Sequence, residues 1–216
     1  MIEIGECVVF KKIPKKVLEL NELMRSQLFS GSLKEYELNI PIPDVTSDEK
    51  LQFTPAKSSK DNSPVLFPCG AVSHHEQISA MLEIVKYKVR EMLNDICALR
   101  TWISLMTPRI EDGNNFGVYV QESVFGEISN VEDFFKSYRV SFIDYYTERG
   151  ELIAKINRYP HSEDMRKALR EVDEAMHYKC KMLLKELRDS YAILHDMICK
   201  NLKKVQSPRS SSNIHY

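Results

Sequence analysis

The sequence predicts an all-α fold, an antiparallel four-helix bundle with long helices, and three observations predict it. Three segments repeat apolar residues in alternating steps of three and four, the seam of helices that pack at a shallow angle. The 216 residues include only seven glycines and one tryptophan against 28% charged residues, a composition suited to long helices with solvated outer faces. The connectors between the long segments are short, and long helices joined in that way must lie antiparallel and bury their stripes on one another.

The first helix is expected from Lys15 to about Ser30, within a short N-terminal helical segment of residues 1–30, on the strength of Val17, Leu20, Leu23, Met24 and Leu28. Residues 31–73 hold Pro41, Pro43, Pro55, Pro64 and Pro68 with several serines, which reads as a flexible linker outside any core. The bundle core is residues 74–206. Its first long helix carries Ile78, Met81, Leu82, Val85, Val89, Met92, Ile96, Leu99, Ile103 and Met106. Ser73 and Glu76 have capping-box spacing at its start, and Thr107, preceding Pro108, is pushed out of helical geometry at its end.

The second long helix, from about Asn115 to Arg158, spans about 65 Å at ~1.5 Å per residue. Its stripe is Val120, Val124, Ile128, Val131, Phe135, Tyr138, Phe142, Tyr145, Leu152 and Ile156. Gly126 and Gly150 weaken it locally by about 1 kcal/mol each, and Tyr159-Pro160 ends it. Ser162 is a good N-cap for the third, with Glu163 and Asp164 at the positive end of the helix dipole. Leu169, Val172, Met176, Cys180, Leu183, Leu187, Tyr191, Leu194, Ile198, Leu202 and Val205 form its stripe. Residues 207–216 are a tail. No acidic side chain follows Asp196, so the terminal carboxylate carries the only negative charge there.

Several functions are disfavoured. Thirty basic and 31 acidic residues give a net charge of −1, no general reason to expect nucleic acid or an anionic membrane as partner. No apolar run approaches the ~20 residues that span a bilayer, and Glu3 and Glu6 spoil the N-terminus as a secretory signal. An intracellular protein is expected. Cys7, Cys69, Cys97, Cys180 and Cys199 are scattered without the close pairing of a zinc site, so no metal is expected. Without a glycine-rich phosphate loop no nucleotide cofactor is expected. His161, His177 and His195 lie too far apart for a helical metal pair, and His74 and His75 point to different faces. No catalytic set is visible, and a non-enzymatic role is the better reading.

One connector is unusual. Pro108 leads into Arg109, Ile110, Glu111, Asp112, Gly113, Asn114, Asn115, Phe116 and Gly117, three charges and two asparagines around a flexible glycine between two very long helices. A capped hairpin explains the composition. A contact loop presented at one end of a scaffold explains it too.

The run PRIEDGNNFGV, Pro108 to Val118, resembles the activation loop of the 11S proteasome activators, the REG family. Ile13 to Leu20, Asn39 to Asp44, Lys155-Ile156, Tyr159-Pro160-His161, Glu186-Leu187-Arg188, Leu194 to Ile198 and Lys200-Asn201 are similar to the family as well, and the tail from Pro208-Arg209-Ser210-Ser211 to Tyr216 matches the gamma type. The resemblance implies a homoheptameric ring on the α-ring of the 20S proteasome. The tail residues Ile214, His215 and Tyr216 would bind, the Tyr216 carboxylate pairing with a lysine, and the loop would open the gate without ATP. Asn114 would be the position on which activation most depends. An oligomeric scaffold that has lost gate opening is the alternative. Three departures stand out. Only thirteen residues precede Pro14, so the first helix is shortened by about five turns relative to the family. Lys57 and Lys60 are a weak counterpart of the basic nuclear-import cluster, which leaves nucleus and cytoplasm both open. Glu151 stands where gamma-type members have lysine, a possible determinant of channel selectivity.

Overall fold

Pro14 sits inside a helix, and the backbone around it shows how. In the computed structural model, which describes residues 2–35, 38–43, 70–111 and 113–209 except the Arg139 side chain, α1 (Ile2–Cys7) enters a wide π turn, Val8–Lys12, and continues without a break into α2 (Ile13–Arg25). A proline lacks an N–H and its ring crowds the carbonyl four residues back. Here the Ile13 amide already reaches back five residues to the Val8 carbonyl, so the ladder has widened before the proline arrives. The helix therefore begins at Ile2 rather than near Lys15. Val8, Val9 and Ile13, all fully buried, carry the seam across the proline. A single turn, α3 (Gln27–Ser30), then buries Phe29.

The three long helices follow their seams. α4 (Glu76–Met106) has 31 residues, α5 (Phe116–Arg158) 43 and α6 (Glu163–Lys200) 38, and a short α7 (Leu202–Gln206) prolongs the last. Turns at 107–115 and 159–162 make α4, α5 and α6 antiparallel in sequence. α2 lies along α6, and α1 lies on α4. That last contact is close: a Cβ on Gly5 would sit 2.3 Å from the Trp102 Cβ, so only glycine lets α1 seat there. No strand occurs among the described residues. No described helix is long and apolar enough to cross a membrane.

Local signals fared less well than the seams. The Ser73–Glu76 capping box does not form, because the N-cap position falls on His75, which makes no side-chain capping bond. Ser162 occupies the N-cap of α6 but makes no side-chain capping bond. α5 continues through Gly126 and Gly150, with open space where a Cβ would go.

One apolar cluster runs from Val8 to Val205 through all the main helices. A smaller one joins Ile40, Ile153, Ile156 and Leu169. It forms because the α5–α6 hairpin projects past the start of α4, which lies level with Arg149. Ile40, 4% exposed, caps that projection, and Arg166 holds the Ile40 carbonyl at 3.0 Å. Part of the proline-containing segment thus packs on the bundle, where composition placed it outside any core. Ile40 and Ile42 alternate with prolines, and nothing periodic announces that the first packs while the second stays exposed. Residues 44–69, with Lys57, Lys60 and Cys69, lie outside the described residues.

Candidate functional site

The α4–α5 connector and the base of the tail meet at one end of the bundle. α4 stops as its last amides turn inward: the Thr107 N–H donates to the Ser104 carbonyl at 3.4 Å and its hydroxyl to the Ile103 carbonyl at 3.0 Å. Pro108 prevents continuation. Gly113, at φ +126°, reverses the chain where a side chain would be strained. Asn114 then accepts the Phe116 N–H on its side-chain oxygen at 3.2 Å, satisfying a free amide of the next helix. Neither asparagine takes left-handed backbone, because the glycine supplies that conformation. Phe116 and Gly117, read from sequence as loop, form the first turn of α5.

The result is an outward-facing surface. Arg109, Glu111, Gly113 and Asn114 are exposed, Ile110 completely so. Phe116 is 64% exposed, with the Lys204 ammonium 5.9 Å from its ring centre. Two exposed apolar side chains, Ile110 and Phe116, thus stand beside charged residues at this end of the bundle. Asp112 lies outside the described residues.

The tail's base is built into the same end. At Asn201 the chain leaves α6 with its N–H shared between the Met197 and Ile198 carbonyls, and α7 follows. Gln121 of α5, 1% exposed, donates to the Val205 carbonyl at 2.7 Å and the Met106 carbonyl at 3.1 Å, tying together the ends of α7 and α4. A Cβ on Gly117 would fall 2.0 Å from the Pro208 oxygen, so the backbones touch where the tail leaves. Arg209 then turns back onto the connector. It pairs with the Glu111 carboxylate at 2.9 Å and donates to the Glu111 carbonyl at 3.3 Å and the Asn115 side-chain oxygen at 2.9 Å.

Other sequence-selected positions fall elsewhere. Glu151 is exposed on α5, far along the helix from the connector. Ile214, His215 and Tyr216 lie outside the described residues. Sequence reasoning missed Gln121, which has no periodic or motif signal, and took Arg209 as part of the tail run without seeing that it reaches the connector. It also missed a buried cluster near the opposite end, where Asp173 accepts from Tyr145 at 2.8 Å and from the Arg149 Nε at 3.1 Å. That cluster did leave a trace, since Arg149 occupies a seam position between Tyr145 and Ile156.

Cys97 is an exposed thiol, whereas two others are screened. Burial pushes the Cys180 thiol up to about 12, and burial together with Asp196 raises that of Cys199, whose sulfur lies 3.6 Å from the His195 Nε2. Both stay protonated, the form that is a poor nucleophile. Burial, with Lys181 nearby, lowers the pKa of His177. No group of three or more His, Cys, Asp or Glu among the described residues is arranged for a metal ion.

The matches to known proteins cover this end and the rest of the chain. Residues 71–215 fit the family model for the C-terminal part of proteasome activator PA28, and residues 1–45 the model for its N-terminal part. The chain belongs to the PA28 proteasome activator family. Proteasome activator complex subunit 3 of Gallus gallus is 34% identical over 224 aligned residues, covering 96% of this chain and 88% of the relative. The Homo sapiens protein of the same name is 33% identical with the same coverage. Among solved structures, the 11S subunit PA28 of Plasmodium falciparum superposes with a TM-score of 0.73 at 28% identity, covering 96% of this chain and 88% of that one. A chain from the archaebacterial 20S proteasome–PA26 complex, at TM-score 0.60 and 16% identity, spans 100% of this PA28-family chain and 86% of its own length, and shares the fold. By name these family members are proteasome activators, regulatory rather than catalytic.

Proposed function

We propose that this chain is an ATP-independent activator subunit that binds the end of the 20S proteasome through its C-terminal tail and opens the gate through residues 109–117, so that peptides are hydrolysed faster in the partner's chamber. The observation that carries this reading is the union, at one end of the bundle, of an exposed polar connector with the base of the tail, in a chain of the PA28 family. A ring of identical subunits, seven in the reading above, turns individually weak tail contacts into tight binding through avidity. The connector then favours the open gate by touching it better than the closed one. No bond is made or broken in the subunit, which itself is no enzyme. An intracellular location, nuclear, cytoplasmic or both, goes with that partner.

Asn114 organises the turn that faces the partner, and Glu151 is taken to face the channel, where its charge would select among peptides. The test is purified protein mixed with 20S proteasome and fluorogenic peptides in the absence of ATP. Wild type should stimulate hydrolysis, and Asn114→Tyr should still bind but stimulate at least tenfold less. Binding without stimulation by wild type would instead identify a scaffold that has lost gate opening. In the same assay Glu151→Lys should shift the ratio of acidic to basic peptide cleavage, and an unchanged ratio removes Glu151 from the channel.

A further inference from the structure

The connector would be loosely held but for one side chain. Among the described residues, Arg209 makes every polar side-chain contact that reaches residues 109–111 and 113. Its guanidinium grips Glu111 before the Gly113 reversal and Asn115 after it, so a single planar group closes the loop. The same residue directly follows Pro208, whose backbone is pressed against Gly117. Connector and tail base are therefore parts of one joint.

Building on the gate-opening reading above, we propose that Arg209 is a positioning residue: it locks the connector to the tail's base, so that engagement of the tail places the connector instead of merely tethering it nearby. The Arg209 and Glu111 side chains are 24% and 65% exposed, and an ion pair that open contributes little to folding. Its effect falls on the connector's freedom. A loop that is already ordered does not lose that conformational entropy on contact, and the saving appears as more effective engagement. A lysine, with one compact charge, cannot reproduce the fork that reaches carboxylate, carbonyl and amide together.

The experiment uses the full chain as wild type, Arg209→Ala, Arg209→Lys and the exchange Glu111→Arg with Arg209→Glu. Each is titrated against 20S proteasome with a fluorogenic peptide, separating the half-saturating concentration from the plateau, and hydrogen exchange is followed in the free protein over residues 109–117. For Arg209→Ala we expect a half-saturating concentration within about twofold of wild type, a plateau lowered about fivefold, the scale of losing one or two hydrogen bonds, and faster exchange in the connector. The exchanged pair should recover part of the plateau and Arg209→Lys less. If Arg209→Ala raises the half-saturating concentration at an unchanged plateau, Arg209 meets the partner directly and the lock is wrong. Unchanged plateau and exchange also overturn it, while leaving gate opening by the wild type intact. A wild type that fails to stimulate sinks the gate-opening reading itself, and the positioning role with it.

Discussion

The two ends of the bundle are held by opposite means. Near the turn between α5 and α6 the fastening is buried: Arg149 and Asp173, each with side chains 5% exposed, pair at 3.1 Å, Tyr145 donates to the same carboxylate, and Arg149 reaches across to the Ser73 carbonyl. At the other end the fastening lies at the surface, with Arg209 spanning an exposed connector and the buried Gln121 behind it. A buried charge pair is costly to break but adds little net stability over apolar packing, so it specifies one arrangement of the helices. An exposed clasp can be displaced at small cost. The difference teaches that one end is fastened to stay put, while the other stays ordered through contacts that a partner, on the function proposed above, could displace.

Breaking the buried end should give the largest effect. Asp173→Ala leaves the Arg149 charge in the core without its carboxylate and should cost about 3–5 kcal/mol in denaturant unfolding, with local exchange faster near residues 73 and 149. A loss below about 1 kcal/mol would erase the contrast between the ends. Gln121→Leu comes next. It leaves the Met106 and Val205 carbonyls without their shared donor and should cost about 1–3 kcal/mol, while lowering the stimulation plateau because the tail's base loosens. Stimulation equal to wild type would show that α7 is held by packing alone.

The smallest effect is expected between the ends, where Lys16 and Lys88 bridge Glu19 and Glu91 across α2 and α4. Burial alone would raise the Glu91 carboxyl, but hydrogen bonds from Lys16 and Lys88 outweigh it and hold the group below its ordinary 4.5. A carboxyl depressed in this way stabilises the folded form above its unfolded value, and that contribution disappears as pH falls through the folded one. Glu91→Gln should therefore cost at most about 1 kcal/mol at pH 7, and the gap to wild type should close as pH drops below about 4.5. A gap that persists at pH 3 would mean that the loss is one of packing.

The long helices were legible because burial repeats: Ile78 to Ile103 and Leu169 to Val205 each write a stripe that no other fold would use. The connector was legible as composition, and the family by its eleven-residue run. What could not be read depends on pairs distant in sequence. Arg209 and Glu111 are 98 residues apart and Gln121 and Val205 are 84 apart, and nothing local to any of the four names its partner. The start of the first helix was misplaced for a local reason. Pro14 normally marks a first turn, and nothing in Val8–Lys12 announces a π turn that accommodates it further in.

That π turn binds two features into mutual dependence. Removing one residue from Val8–Lys12 would restore an ordinary ladder, in which the ring of Pro14 meets a carbonyl four positions back. Replacing the proline alone would remove the reason for the wide turn while leaving its extra residue to be accommodated. Each change is harmful when made alone, whereas the two together yield a plain helix that still delivers Gly5 to Trp102. Descendants of this sequence can thus lose both or keep both, but the intermediate steps run uphill.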